Sequence, residues 1–139
     1  MSDREIDSMV ASDCRVRAHP SSVRLVRQFV REQIKASSFS DEEADILLAV
    51  SEAANNAVLH SGTDEVHVTW RLQGTCAEVL IRDRGVFRHR IPMPIRDEQG
   101  GRGLPLMMAV MDEVDVSPGS PDQPGTTIRL RKCKNSNGS

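Results

Sequence analysis

The sequence predicts an α+β fold: a two-layer sandwich in which helices cover one face of a mixed, mostly antiparallel sheet. Three observations point there. Two helical patterns open the chain, strictly alternating segments follow, and one further short helical pattern lies among the later strands. With 139 residues and hydrophobic types at 38%, the chain can bury one real core but not comfortably two. The expected boundaries are a loose segment over residues 1–12, one domain over 13–132 and a loose polar tail over 133–139.

Residues 14–18 alternate weakly and predict a first strand. Pro20 and Ser21 then open a helix carrying Val23, Val26, Val30 and Ile34, which Ser37 to Ser40 end. Ser40 followed by Asp41, Glu42 and Glu43 is a second helix start, with Ser40 as cap and the acids set against the positive end of the dipole. That helix is expected to run to about His60 and stop at Ser61-Gly62. Next, Val66, Val68, Trp70 and Leu72 alternate with His67, Thr69 and Arg71, the pattern of a half-buried strand. Gln73-Gly74-Thr75 turns the chain into a returning strand with Ala77, Val79 and Ile81 on one face, ending in Asp83-Arg84-Gly85. From Val86 to Gly101 the chain is rich in Arg and Pro and lacks a period, as an exposed, mobile connection does. Helical spacing returns from Leu104 to Met111, and short strands are expected near Val114 to Val116 and Thr126 to Leu130. Leu25, Phe29, Phe39, Met107 and Met108 fit either an interface or the core, and are assigned to the core by default.

Composition removes several function classes. The formal net charge is only -2 with acids and bases interspersed, so the basic footprint of direct nucleic-acid binding is absent. The polar, acidic start lacks the layout of an export signal, and no apolar run approaches the ~20 residues that span a bilayer. A cytoplasmic protein without a membrane anchor is expected. Cys14, Cys76 and Cys133 are odd in number and widely spaced, which predicts reduced thiols, and the four histidines form no i, i+4 metal-ligand pair.

The second helix holds the first chemical signal. Glu52, Asn56 and His60 are spaced four apart, each about 40° further round the helix than the last, and make one polar row. Beside it, Ile46, Val50, Ala53, Ala54 and Ala57 form an apolar stripe, so the row sits at the edge of the core. A carboxylate there can act as a base, and an amide oxygen one turn away is a suitable hard ligand for magnesium; a solvated face is the alternative. Asp83 shares the parity of Val79 and Ile81 and so points to the buried side, where its carboxylate needs a donor. An adenine amino group is one such donor; a cap on the turn into Gly85 is the other reading. Gly100, Gly101 and Gly103 lie directly before a helix whose first turn accommodates Pro105, an arrangement suited to phosphate or to a simple hinge. Arg102 adds a positive charge to that loop. Finally, Gly125 precedes a strand in which Thr126, Ile128 and Leu130 share a face, bringing the Thr126 hydroxyl near whatever Asp83 binds.

In this order and spacing the four segments resemble the nucleotide-binding boxes of the GHKL superfamily, whose ATPase domain has the Bergerat fold. ILLAVSEAANNAVLHSG with a very short connection before GGRGL is most similar to the anti-sigma-factor serine kinases. The resemblance implies Glu52 as general base and Asn56 as magnesium ligand. It implies Asp83 and Gly85 at the adenine, Gly101, Arg102, Gly103 and Leu104 at the phosphates, and Thr126 completing the adenine side. ATP and magnesium are then the expected cofactors. The expected partners are a sigma factor and a small anti-anti-sigma (STAS-type) protein that receives phosphate on a serine, with the kinase a homodimer. One departure stands out, because the family pattern Asp-x-Gly-x-Gly is here Asp83-Arg84-Gly85-Val86-Phe87. Phenylalanine in the second glycine position keeps an alternative open, a catalytically weak nucleotide-binding module acting by protein binding alone. Arg88, His89, Arg90 and Arg96 make the connection basic, fit either to cover phosphates or simply to be solvated.

Overall fold

A computed structural model describes residues 9–60, 65–83, 103–118 and 125–134. The chain runs β1 (Met9–Arg17), α1 (Val23–Lys35), α2 (Glu43–His60), β2 (Glu65–Gln73), β3 (Cys76–Asp83), α3 (Gly103–Val110), β4 (Glu113–Pro118) and β5 (Thr126–Cys133). The sheet order is β1-β2-β3-β5-β4. Every described pairing is antiparallel, so the mixed sheet that was expected is not needed.

Each helix is placed by its apolar face. In α1, Val26, Val30 and Ile34 are buried, and the 3-10 turn Pro20–Ser22 leads in with His19 Nδ1 accepting the Ser21 amide at 3.1 Å. In α2, the buried set Ile46, Ala49, Val50, Ala53, Ala54 and Ala57 is mostly small, which lets the helix lie close to the sheet and to both other helices. The start of this helix differs from expectation. Ser40 opens a 3-10 turn, Ser40–Glu42, whose cap position is Phe39, and no side chain caps it. The burial of Phe39 against Trp70 fixes the entry instead, with ring centroids 6.4 Å apart and planes at 87°.

The strands follow their alternation. Val66, Val68 and Trp70 of β2, Val79 and Ile81 of β3, and Ile128 and Leu130 of β5 point to the helices and complete the core. Gly74 at φ +62 starts the two-residue turn between β2 and β3, a position where an L side chain would be strained. β1 begins at Met9, so residues 9–12, expected to be loose, form part of the sheet edge in register with β2. At the far end, Cys133 closes β5 and Lys134 still packs, its ammonium 5.2 Å from the centre of the Phe39 ring. Residues 133 and 134, expected in the loose tail, thus belong to the folded unit.

Two expectations are corrected. Cys76 and Cys133 are not reduced thiols: they sit opposite one another in the β3–β5 register and form a disulfide, which sequence spacing of 57 could not reveal. Cys14 alone is free. Leu25 and Met108 were assigned to the core, yet they are 52% and 59% exposed; each lies on the outer side of its helix, while Met107 is buried.

Candidate functional site

The helices and the sheet can be registered on one another through Lys132. Its ammonium donates to Asp45 Oδ2, in the first turn of α2, at 3.1 Å, and to the carbonyl of Val110, the last residue of α3, at 2.6 Å. The start of α2 and the end of α3 thus lie together over the Ala77–Lys132 end of the sheet. Since α3 packs along α2, the two run antiparallel from that anchor. From Asp45, helix rise carries α2 about 16 Å to Asn56, while strand rise takes β5 about 20 Å back from Lys132 to Thr126. By the same rise, Glu52 and the start of α3 lie about 10 Å from the anchor, and Asn56, Asp83 and Thr126 lie further along the sandwich.

Glu52 and Asn56 are half-buried, beside the fully buried Ala53 and the buried Ala57. The row lies on the α3 side of α2, the side that Asp45 also occupies. A carboxylate and an amide held this way keep their polar atoms at the core edge without a fixed partner in the sheet. His60 ends α2.

Asp83 is 7% exposed and stands directly opposite Thr126 in the β3–β5 register, on the face shared with Val66. The Thr126 amide donates to Asp83 Oδ1 at 3.3 Å. This carboxylate therefore steadies the first residue of β5. Its position beside the half-buried Thr126 hydroxyl also gives a buried acceptor and a donor-acceptor on adjacent strands. Gly103 begins α3 and Leu104 follows, half-buried, so the free amides of the first turn open toward the same end. Gly85, Phe87, Arg88, His89, Arg90, Arg96, Gly101 and Arg102 lie outside the described residues.

This donor set suits a purine nucleotide with a metal-bound phosphate chain. A buried carboxylate accepts an exocyclic amine, a helix start accepts an anion, and a carboxylamide oxygen suits magnesium. Among the described residues no cluster of three or more His, Cys, Asp or Glu could hold a metal by itself, and no helix is long and apolar enough to cross a membrane.

Sequence reasoning missed two sets of polar residues. Lys132 continues the inward series Thr126, Ile128, Leu130, so a lysine at a core-facing position was the available signal. The other set lies on the uncovered face of the sheet. Glu78 is 4% exposed because Arg71 and Arg129 close over it from the neighbouring strands, at 2.6 and 2.7 Å. Burial alone would raise its pKa, but the hydrogen bonds from Arg71 and Arg129 and their charges outweigh it and leave it below the usual carboxylate value. Arg129 also reaches Glu113 and Asp115, at 2.8 and 2.6 Å, and these bonds raise its pKa further.

Known proteins resemble the chain in sequence and in fold. The chain is 35% identical over 104 residues to the anti-sigma F factor of Bacillus licheniformis, covering 66% of this chain and 70% of that protein. It is 31% identical over 140 residues to the serine-protein kinase RsbW of Bacillus velezensis, covering 88% and 85%. Among solved structures, the RsbU and RsbW domains of a Mycobacterium tuberculosis protein match with a TM-score of 0.64 and 24% identity. That match covers 89% of this chain and 32% of the longer one, and it shows the fold alone. The sequence profile of the histidine kinase-like ATPase domain matches residues 16–132, nearly the whole of the folded unit, and the chain belongs to that family.

Proposed function

We propose that this protein is an ATP-dependent protein-serine kinase and anti-sigma factor, binding a sigma factor and phosphorylating a small anti-anti-sigma (STAS-type) protein. The reading is carried by Glu52 and Asn56 in one half-buried row of α2, which packs against α3, with Asp83 buried opposite Thr126 across the β3–β5 pair. It is supported by relatives named anti-sigma F factor and serine-protein kinase RsbW. ATP with magnesium supplies the transferable phosphoryl group and neutralises its charge. Glu52 accepts the proton of the attacking serine hydroxyl, and Asn56 offers its amide oxygen to the magnesium. Asp83 accepts the adenine amino group with Thr126 beside it, while Gly101, Arg102, Gly103 and Leu104 border the phosphates.

Beyond the serine that reaches Glu52, the proteins it engages need a further contact surface. An open groove along α1 supplies one: Arg24, Arg27 and Arg31 line it with exposed Leu25, and only Arg31 has a carboxylate partner among the described residues, Glu43 at 3.5 Å. Such a groove suits an acidic partner segment. The kinase is read as a homodimer, and sedimentation as a single monomeric species would remove that element.

The test is transfer of labelled phosphate from ATP to a candidate anti-anti-sigma protein with magnesium present. Glu52→Ala is expected to lower the rate about 10²-fold or more. Undiminished labelling in that variant would rule out Glu52 as the base. Phe87, in the second glycine position of the family pattern, favours a second reading: a regulatory module that works by binding alone. Calorimetry separates the two, since no heat at millimolar nucleotide supports the module and micromolar affinity supports the kinase.

A further inference from the structure

We infer that Lys132 is a positioning residue, which ties the start of α2 to the end of α3 and so sets the glycine-led start of α3 against Glu52 and Asn56. The inference rests on the kinase reading for what that alignment serves. It does not rest on it for the tether itself.

Three features of α3 make such a tether consequential. The helix has 8 residues, GLPLMMAV, too short to be stable alone and without a charged side chain to fix its place. Its contact with α2 is apolar and includes Met107, a flexible side chain that tolerates sliding. Its exit is held to β5: the Asp112 amide donates to the Arg131 carbonyl at 2.9 Å, and Asp112 Oδ2 accepts the Cys133 amide at 2.6 Å. These bonds secure α3 to the sheet, but none reaches α2.

Lys132 is the one polar bridge between α2 and α3 among the described residues. Its side chain is 17% exposed, and it projects from the inner face of β5 in line with buried Leu130. The ammonium sits at the negative end of the α3 dipole while neutralising Asp45, so one cation satisfies both helices. Removing it leaves α3 attached to β5 yet free to shift along α2. The start of α3 then moves relative to the Glu52–Asn56 row, and misplacement by about an ångström is enough to cost up to 10²-fold in a positioned reaction.

The experiment compares wild-type protein with Lys132→Met, Lys132→Arg, Asp45→Asn and the remote control Val114→Ala. Magnesium-ATP affinity is read by calorimetry, kcat and KM by phosphate transfer, and helix protection by amide hydrogen exchange. Lys132→Met and Asp45→Asn are each expected to weaken nucleotide binding about 10-fold and raise exchange over Met107–Val110. Lys132→Arg, whose guanidinium can reach both acceptors, is expected to restore most of both. Val114→Ala is expected to lower the melting point without changing affinity. Wild-type affinity in Lys132→Met, or equal weakening in Val114→Ala, would overturn the inference. Should Lys132→Met fail to fold, Asp45→Asn decides by the same readouts. A wild-type protein that binds no magnesium-ATP sinks the kinase reading instead. Unchanged exchange over Met107–Val110 in Lys132→Met would then sink the tether separately.

Discussion

Breaking the Cys76–Cys133 disulfide should destabilise the domain more than any single hydrogen bond it contains. The two cysteines are 57 residues apart in sequence, and closing a loop of that length removes chain entropy from the unfolded state worth about 4 kcal/mol. Whole domains are stable by about 5–15 kcal/mol, so the bond is a substantial share. With a urea dependence of about 2 kcal/mol per molar, the unfolding midpoint should fall by about 2 M on reduction. The assay is urea unfolding followed by emission of Trp70, 1% exposed in the native state, with and without dithiothreitol. Cys133→Ser should match reduced wild-type protein and ignore the reductant. Cys14→Ser is the control: burial, and then the charge of Asp13, raise the Cys14 pKa, so its thiol stays neutral and unreactive near pH 7. Coincident curves for oxidised and reduced wild-type protein would refute the reasoning, as would a mapped bridge that involves Cys14.

Other outcomes follow from single features. Asp83→Asn should abolish most adenine-dependent binding while leaving the far-ultraviolet dichroism intact, measured by calorimetry and spectropolarimetry. Phe39→Ala removes the ring packed edge-on against Trp70 and should cost about 3–4 kcal/mol, with a red shift of the tryptophan emission. Glu78 has a folded-state pKa below its unfolded value, so its stabilising contribution is present above about pH 4.3 and is lost as pH falls through the folded value. Urea midpoints in that acidic window should therefore drop more steeply for wild-type protein than for Glu78→Gln. Gly74→Ala meets nothing within 4 Å, so only the strain of φ +62 acts, and the cost should be about 1 kcal/mol by thermal melting.

Most of the fold was legible because periodicity reports burial directly. Val26, Val30 and Ile34, the alternation through Trp70, and the parity of Asp83 with Ile81 each fixed a face, and each of those faces is buried. What escaped depends on contacts between segments distant in sequence. The Cys76–Cys133 pairing needs the β3–β5 register, and the burial of Glu78 needs two arginines from flanking strands. Ser40 read as a cap because its composition suits one, but the tertiary burial of Phe39 moved the turn by a residue. Leu25 and Met108 show the limit of hydrophobicity by itself, since neighbouring Val26 and Met107 take the inward positions. At the candidate site, Glu52, Asn56, Asp83 and Thr126 fall on elements whose periodicity could be read, whereas the stretches around Gly85 and Gly101 carry no period to read.

Three contacts secure the helical layer and the sheet at one end of the sandwich. Lys132, the Cys76–Cys133 bond and the contact of Lys134 with Ser38, at 2.8 Å, act as the rivet. Asn56 on the helical layer, and Asp83 and Thr126 on the sheet, lie away from it. The spacing between the two layers at the candidate site is thus set in part from the far end, by bonds that a ligand there would not touch.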